Sequence, residues 1–154
     1  MSDVLDVCCG SRMFYFDREN ENVIYMDKRS EDHTLCDGRN LFIRPDVVAD
    51  FRAIPYRDES FDMVVFDPPH LERAGDKSWL ALKYGKLGTN WRDDIASGFK
   101  ECFRVLREGG TMVFKWNEDQ IALREILPLS PIKPLFGNKR SKTHWIVFYK
   151  SRTA

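Results

Sequence analysis

Four aspartates punctuate the first half of this 154-residue chain, each closing a short apolar run. Asp6 leads into Val7-Cys8-Cys9-Gly10-Ser11, a tight turn in which Gly10 can take backbone angles closed to other residues and lets a ligand approach the main chain. Asp27 follows 21 residues later. That spacing suits a carboxylate receiving the two hydroxyls of a ribose. Asp50 is followed by Phe51, a pairing able to accept from an adenine amino group and flank its ring. Asp67 opens Asp67-Pro68-Pro69-His70, where two adjacent prolines stiffen the turn and preorganise whatever Asp67 presents. In general, a carboxylate and a backbone carbonyl can accept the two protons of an amino group whose lone pair is delocalised into a ring. His70 can stack on that group, or take up a released proton near its switching pH.

The elements that must position these residues follow from the apolar pattern. Strands are predicted over Val4–Val7, Val23–Met26, Val47–Ala49, Phe61–Phe66 and Thr111–Trp116. The run Met63-Val64-Val65-Phe66 has the continuous apolar character of a strand buried on both faces. Ile95, Phe99, Phe103 and Leu106 recur at helical steps, predicting a helix over Asn90–Leu106, capped by Thr89 or Asn90 and closed by Gly109-Gly110. Glu118–Leu127 reads as a short helix stopped by Pro128. Ile132–Phe136 and Trp145–Tyr149 read as a terminal antiparallel pair. The alternation predicts an α/β fold, a mostly parallel seven-stranded sheet with helices on both faces, in one domain over 1–154. Its ligands should bind at the carboxyl ends of the strands.

Composition narrows the function classes. The chain is 43% hydrophobic and 31% charged with zero formal net charge, which excludes intrinsic disorder and a general polyanion binder. The charge is uneven: residues 1–67 carry a net −7 and residues 124–154 a net +6. No apolar run reaches membrane-spanning length, so no membrane association and a soluble cytoplasmic protein are expected. No Gly-x-x-x-x-Gly-Lys-Ser/Thr and no Gly-x-Gly-x-x-Gly is present, which counts against a nucleotide triphosphatase and against NAD or FAD. The four cysteines include no Cys-x-x-Cys, and Cys8, Cys9 and Cys102 are accounted for by packing. His33 with Cys36 is too sparse for a metal site, and no metal is expected.

On Asp6-Val7-Cys8-Cys9-Gly10-Ser11-Arg12 and Asp67-Pro68-Pro69-His70, the sequence resembles the class I S-adenosyl-L-methionine (AdoMet)-dependent methyltransferases. It is most similar to the small amino-methyltransferases whose fourth strand ends in Asp/Asn-Pro-Pro-aromatic, the phage and orphan DNA adenine methyltransferase type. The resemblance runs through nearly the whole chain and implies a Rossmann-like fold with AdoMet as cofactor. It implies cofactor-binding roles for Asp6, Cys8, Cys9, Gly10, Asp27, Asp50, Phe51 and Asp67. It implies catalytic roles for Asp67, Pro68, Pro69 and His70, with methyl transfer to an exocyclic amino nitrogen of a nucleic-acid base. DNA adenine is the first expectation, ahead of cytosine or an RNA base. Two departures stand out: Arg12 replaces a second glycine, and His70 replaces Tyr, Phe or Trp.

Acceptor contacts are expected from Lys77, Trp79 and Tyr84 in the Gly-rich connection 71–89, where basic residues lie beside aromatics. Lys115 lies at the close of the fifth strand, where it would border the acceptor pocket. Lys139, Arg140 and Lys142 lie in a basic connection over 137–144 that suits backbone phosphates. A packed loop and a solvated hairpin are the plain alternatives for these two segments. The sequence begins almost at the first motif, so a second copy or a protein partner is expected to supply target recognition. Two further readings stand: an AdoMet-dependent enzyme acting on a small molecule or protein, and a non-catalytic methyltransferase-like subunit.

Overall fold

The run Phe61–Phe66 forms the strand on which the rest of the sheet is ordered. The computed structural model describes residues 3–70 and 87–153. Its large sheet contains β1 (Val4–Asp6), β2 (Val23–Asp27), β5 (Val47–Val48), β6 (Phe61–Phe66), β7 (Leu106–Asn117), β8 (Phe136–Arg140) and β9 (Thr143–Tyr149). Their order is β5-β2-β1-β6-β7-β9-β8, with β9 antiparallel to both neighbours. The order reverses between β1 and β6, the kind of switch point at which a crevice opens beyond the carboxyl ends of parallel strands.

Residues in register across a sheet share a face. Leu5, Val64, Met112 and Phe148 form one such row. Helix α1 (Trp91–Val105) covers that face. Its Phe99 packs 5.3 Å from Phe66, 4.9 Å from Phe114 and 5.9 Å from Phe148, ring centre to ring centre. The opposite face carries the row Asp6, Tyr25, Val65, Val113 and Val147. It is covered by the β1–β2 connection, whose Tyr15 meets Tyr25 and whose Phe14 meets Trp145.

Three crossovers run without a helix: a hairpin fills one, and the other two, over 7–22 and over 49–60, have no regular element. An arginine ties each of these two down instead. Arg12 donates to the carbonyls of Arg18 (2.6 Å) and Arg44 (2.8 Å) and lies over the Tyr25 ring. Arg104 donates to the carbonyls of Tyr56 (2.8 Å) and Ile54 (2.9 Å) while pairing with Glu101 and Asp58.

The β2–β5 connection holds an antiparallel hairpin, β3 (Glu31–Thr34) with β4 (Asn40–Ile43). The sequence does not announce it, because Glu31-Asp32-His33-Thr34 lacks apolar alternation. Its small core of Leu35, Leu41 and Ile43 forms only once the hairpin closes. His33 turns to Glu31, 2.8 Å away, and Cys36 is exposed.

Three predicted boundaries move. Gly109-Gly110 does not close α1 but forms an irregularity inside β7, where the register to β6 shifts and Gly109 takes φ +79°. The helix predicted over Glu118–Leu127 shrinks to α2 (Leu123–Ile126) and a 3-10 turn at Leu127–Leu129. Glu118 stays tied to the last hairpin, its N–H on the Lys142 carbonyl at 2.9 Å, and Trp116 holds the Ile121 carbonyl at the same distance. The strand predicted over Ile132–Phe136 begins only at Phe136, past Pro134, which has no N–H to give a ladder. The basic connection expected over 137–144 is therefore mostly strand, with a tight turn at Ser141-Lys142.

Among the described residues, no helix is long and apolar enough to cross a membrane.

Candidate active site

The turn after β1 is built around two buried carboxylates. Asp6 is fully buried. One of its oxygens accepts the Cys8 N–H at 3.1 Å and the other accepts the Tyr15 hydroxyl at 2.8 Å. Burial raises its pKa to about 7, with the nearby Asp67 charge adding to the rise. Asp6 thus shapes the turn from behind and is not part of the cavity wall.

Cys9 donates its N–H to the Met26 carbonyl at 2.8 Å, fastening the turn to β2. Gly10, at φ +52°, donates its N–H to Asp27 at 2.8 Å. The other Asp27 oxygen accepts the Arg29 N–H at 2.9 Å. Each carboxylate oxygen retains a further lone pair for a ligand. Arg12, where the resemblance expects a second glycine, keeps a positive φ of +59°. Such a conformation is uncommon for a non-glycine residue. The side-chain contacts described above hold that residue in place.

The turn after β6 lies across the switch point. Burial raises the Asp67 pKa to about 6 against the pull of Lys115, whose Nζ is 3.7 Å away. Lys115 sits near two aromatic rings, 5.3 Å from the centre of Phe14 and 5.5 Å from that of Trp145. His70 packs edge-on to Trp116 at 6.3 Å. Burial, with the Lys115 charge beside it, lowers the His70 pKa to about 4. The imidazole is therefore neutral at physiological pH. This corrects the expectation of a histidine near its switching point: desolvation has moved the switch away, leaving Asp67 the stronger base.

The two turns share one cavity of about 240 Å³. Of the residues singled out in the sequence, Cys8, Cys9, Gly10, Asp27 and Phe51 line it, as do the whole Asp67–His70 turn and Lys115. Phe51 reaches the wall because Gly98 of α1 has no side chain. A Cβ there would lie 2.6 Å from Phe51 Cδ2 and 2.6 Å from Phe66 Cζ. Asp50 does not line the cavity. Arg52 holds it by both oxygens, at 3.0 and 2.8 Å, and Lys28 lies 3.9 Å away. Lys139 and Lys142 are paired with Glu118 (3.0 Å) and Asp119 (2.5 Å) and do not line the cavity, and Arg140 is exposed on β8. Lys77, Trp79 and Tyr84 lie outside the described residues. Met13, Phe14, Lys28 and Arg29 also line the cavity and were not singled out in the sequence. The aromatic run Phe14-Tyr15-Phe16 just after the first motif was the one sign available.

No protein-family model matches this chain, and no curated protein matches it. Solved structures do. A protein from Pyrococcus horikoshii superposes with a TM-score of 0.57 at 17% identity, over 96% of this chain and 81% of that one. A candidate S-adenosyl-L-methionine-dependent methyltransferase from Methanococcus maripaludis gives 0.56 at 16% identity, over 98% and 78%. The Thermus thermophilus 16S rRNA N2 G1207 methyltransferase, in complex with AdoMet and guanosine, gives 0.55 at 12% identity, over 99% of this chain and 36% of that one. These likenesses show the fold: the sheet is Rossmann-like, arranged as in these structures.

Proposed function

We propose that this chain is an AdoMet-dependent methyltransferase, one domain over 1–154, whose acceptor is an exocyclic amino nitrogen of a nucleic-acid base. DNA adenine remains the first expectation, then cytosine or an RNA base. One observation carries the reading: the Asp27-anchored Gly10 turn and the Asp67-Pro68-Pro69-His70 turn meet in a single cavity at the switch point of this sheet.

The residues present fit the cofactor. Asp27 keeps lone pairs for ribose hydroxyls, the Cys9-Gly10 backbone opens to the cavity, and Phe51 offers a ring face for adenine. Asp50 would join them only by leaving Arg52. AdoMet bound there supplies a methyl group on a positively charged sulfur. The chain's own residues do the rest. Asp67 accepts one amino hydrogen and the Pro68 carbonyl the other, which draws the nitrogen toward tetrahedral geometry. Asp67 then takes up the released proton, since the neutral His70 is the weaker base. His70 is left as a flat face against the target. The gain comes mainly from positioning.

One observation favours the second reading, a small-molecule or protein acceptor. Lys139 and Lys142 are paired with Glu118 and Asp119 and so present less free charge to a phosphate backbone. Under the nucleic-acid reading, a second copy or a protein partner would supply target recognition. We expect the protein to act in the cytoplasm.

The test is transfer of labelled methyl from AdoMet to separate pools of DNA, RNA, protein and metabolites. Label in a nucleic-acid pool is expected; label only in protein or metabolites selects the second reading. AdoMet binding with no label in any pool points to the non-catalytic subunit. Asp67→Ala should cut transfer by about a hundredfold to a thousandfold with AdoMet affinity nearly kept. Asp27→Ala should weaken AdoMet binding by about tenfold or more.

A further inference from the structure

Lys115 is the residue whose surroundings the proposed reaction leaves unexplained. An amino-methyltransferase needs an acceptor for the amino hydrogens, which Asp67 and the Pro68 carbonyl supply. It does not need an ammonium beside that carboxylate. Yet Lys115 Nζ stands 3.7 Å from Asp67 Oδ2 and the lysine lines the same cavity. That separation is beyond hydrogen-bond length, so the pairing leaves the ammonium hydrogens open to a third group. The side chain is 23% exposed and lies near the rings of Phe14 and Trp145.

We propose that Lys115 and Asp67 act as a donor–acceptor pair that reads an amino group together with the ring nitrogen next to it. Asp67 accepts from the amino hydrogen and Lys115 donates to the ring nitrogen. This rests on the reading above and narrows its acceptor to heteroaromatic amines that carry an unprotonated ring nitrogen beside the amino group, as adenine, cytosine and guanine do. A bidentate contact of this kind is how protein side chains commonly tell one base edge from another.

The same pair disfavours the other amines a methyltransferase could meet. An alkylammonium, such as a protein lysine or a polyamine, needs the cation position beside Asp67, and Lys115 already occupies it. The neutral His70 and the rings of Phe14 and Trp145 suit a flat, uncharged acceptor.

The experiment uses the full chain, AdoMet and single-stranded DNA or RNA oligonucleotides carrying one copy of whichever base takes label. Each is compared with an oligonucleotide in which that base is replaced by its deaza analogue: 1-deaza- or 7-deazaadenine, 3-deazacytosine, or 3-deazaguanine. In the wild type, loss of the correct ring nitrogen should lower kcat/KM by about tenfold to a hundredfold, as expected for a lost hydrogen bond to a charged donor. Lys115→Met should lower kcat/KM for the natural base by a similar factor and treat natural and deaza bases alike. Lys115→Arg, which keeps the donor, should retain part of the discrimination. AdoMet affinity and thermal midpoint, measured on each variant, should change little.

Label on natural and deaza bases alike in the wild type would overturn this inference and leave the proposed reaction standing. So would undiminished discrimination in Lys115→Met, or a loss in that variant explained wholly by weaker AdoMet binding or unfolding. Label on lysine amines and on no base would overturn both.

Discussion

The two faces of the central sheet are built from the same strands and solve different problems. Beneath α1 the face is apolar: Leu5, Val64, Phe66, Met112, Phe114, Trp116 and Phe148 are buried together. The other face buries Asp6, places Lys115 next to Asp67 and is roofed by a helix-free connection hung from Arg12. The first face carries the folding energy. The second spends part of it, since carboxylates with raised pKa values resist burial in their charged form. The difference shows where a small domain can place strained acids: opposite a face that packs well enough to tolerate them.

The sharpest way to separate the faces is Phe99→Ala. It empties the junction of Phe66, Phe114 and Phe148 and should cost about 3–5 kcal/mol in urea unfolding. The folded fraction should still bind AdoMet with near-native affinity. A large loss of affinity in folded molecules would show that the faces are not separable.

Arg12→Ala attacks the other roof. It leaves the Arg18 and Arg44 carbonyls without their donor and should cost about 1–3 kcal/mol, with weaker AdoMet binding as the Gly10 turn loosens. Unchanged affinity, read by calorimetric titration, would show that Asp27 and the Cys9–Met26 hydrogen bond hold the turn without the Arg12 side chain.

A further test is pH dependence. Asp6 and Asp67 have folded-state pKa values raised to about 7 and about 6 from 3.8. The folded protein therefore holds protons that the unfolded chain has released. Stability should fall as pH rises from about 4 to about 7 and level off above that range. Asp6→Asn should flatten much of the slope in urea midpoints taken across it. Transfer should run the opposite way, rising as Asp67 ionises near pH 6.

Much of this was legible in the chain. Phe61–Phe66 is a strand where the apolar run predicts one, and the aspartates stand at or just past strand ends. Trp91–Val105 is a helix because its apolar residues recur at helical steps and Asp93 and Asp94 favour its first turn. The Asp67-Pro68-Pro69-His70 turn reaches the cavity because β6 points it there. These features are local: periodicity, turn residues and strand length are fixed within a few positions of one another.

What the sequence could not fix depends on groups far apart in the chain. Lys115 meets Asp67 because β6 and β7 are neighbours in this sheet order. Asp50 follows β5 as expected, yet Arg52 claims its carboxylate. Lys139 and Lys142, basic in sequence, are paired because β7 and the last hairpin bring Glu118 and Asp119 to them. His70 loses its switch because burial, a property of the assembled fold, removes the water that would stabilise its charge. Composition and spacing determine which groups exist and on which element. Only the packed sheet sets the distances and dielectric that decide their charge state and their partners.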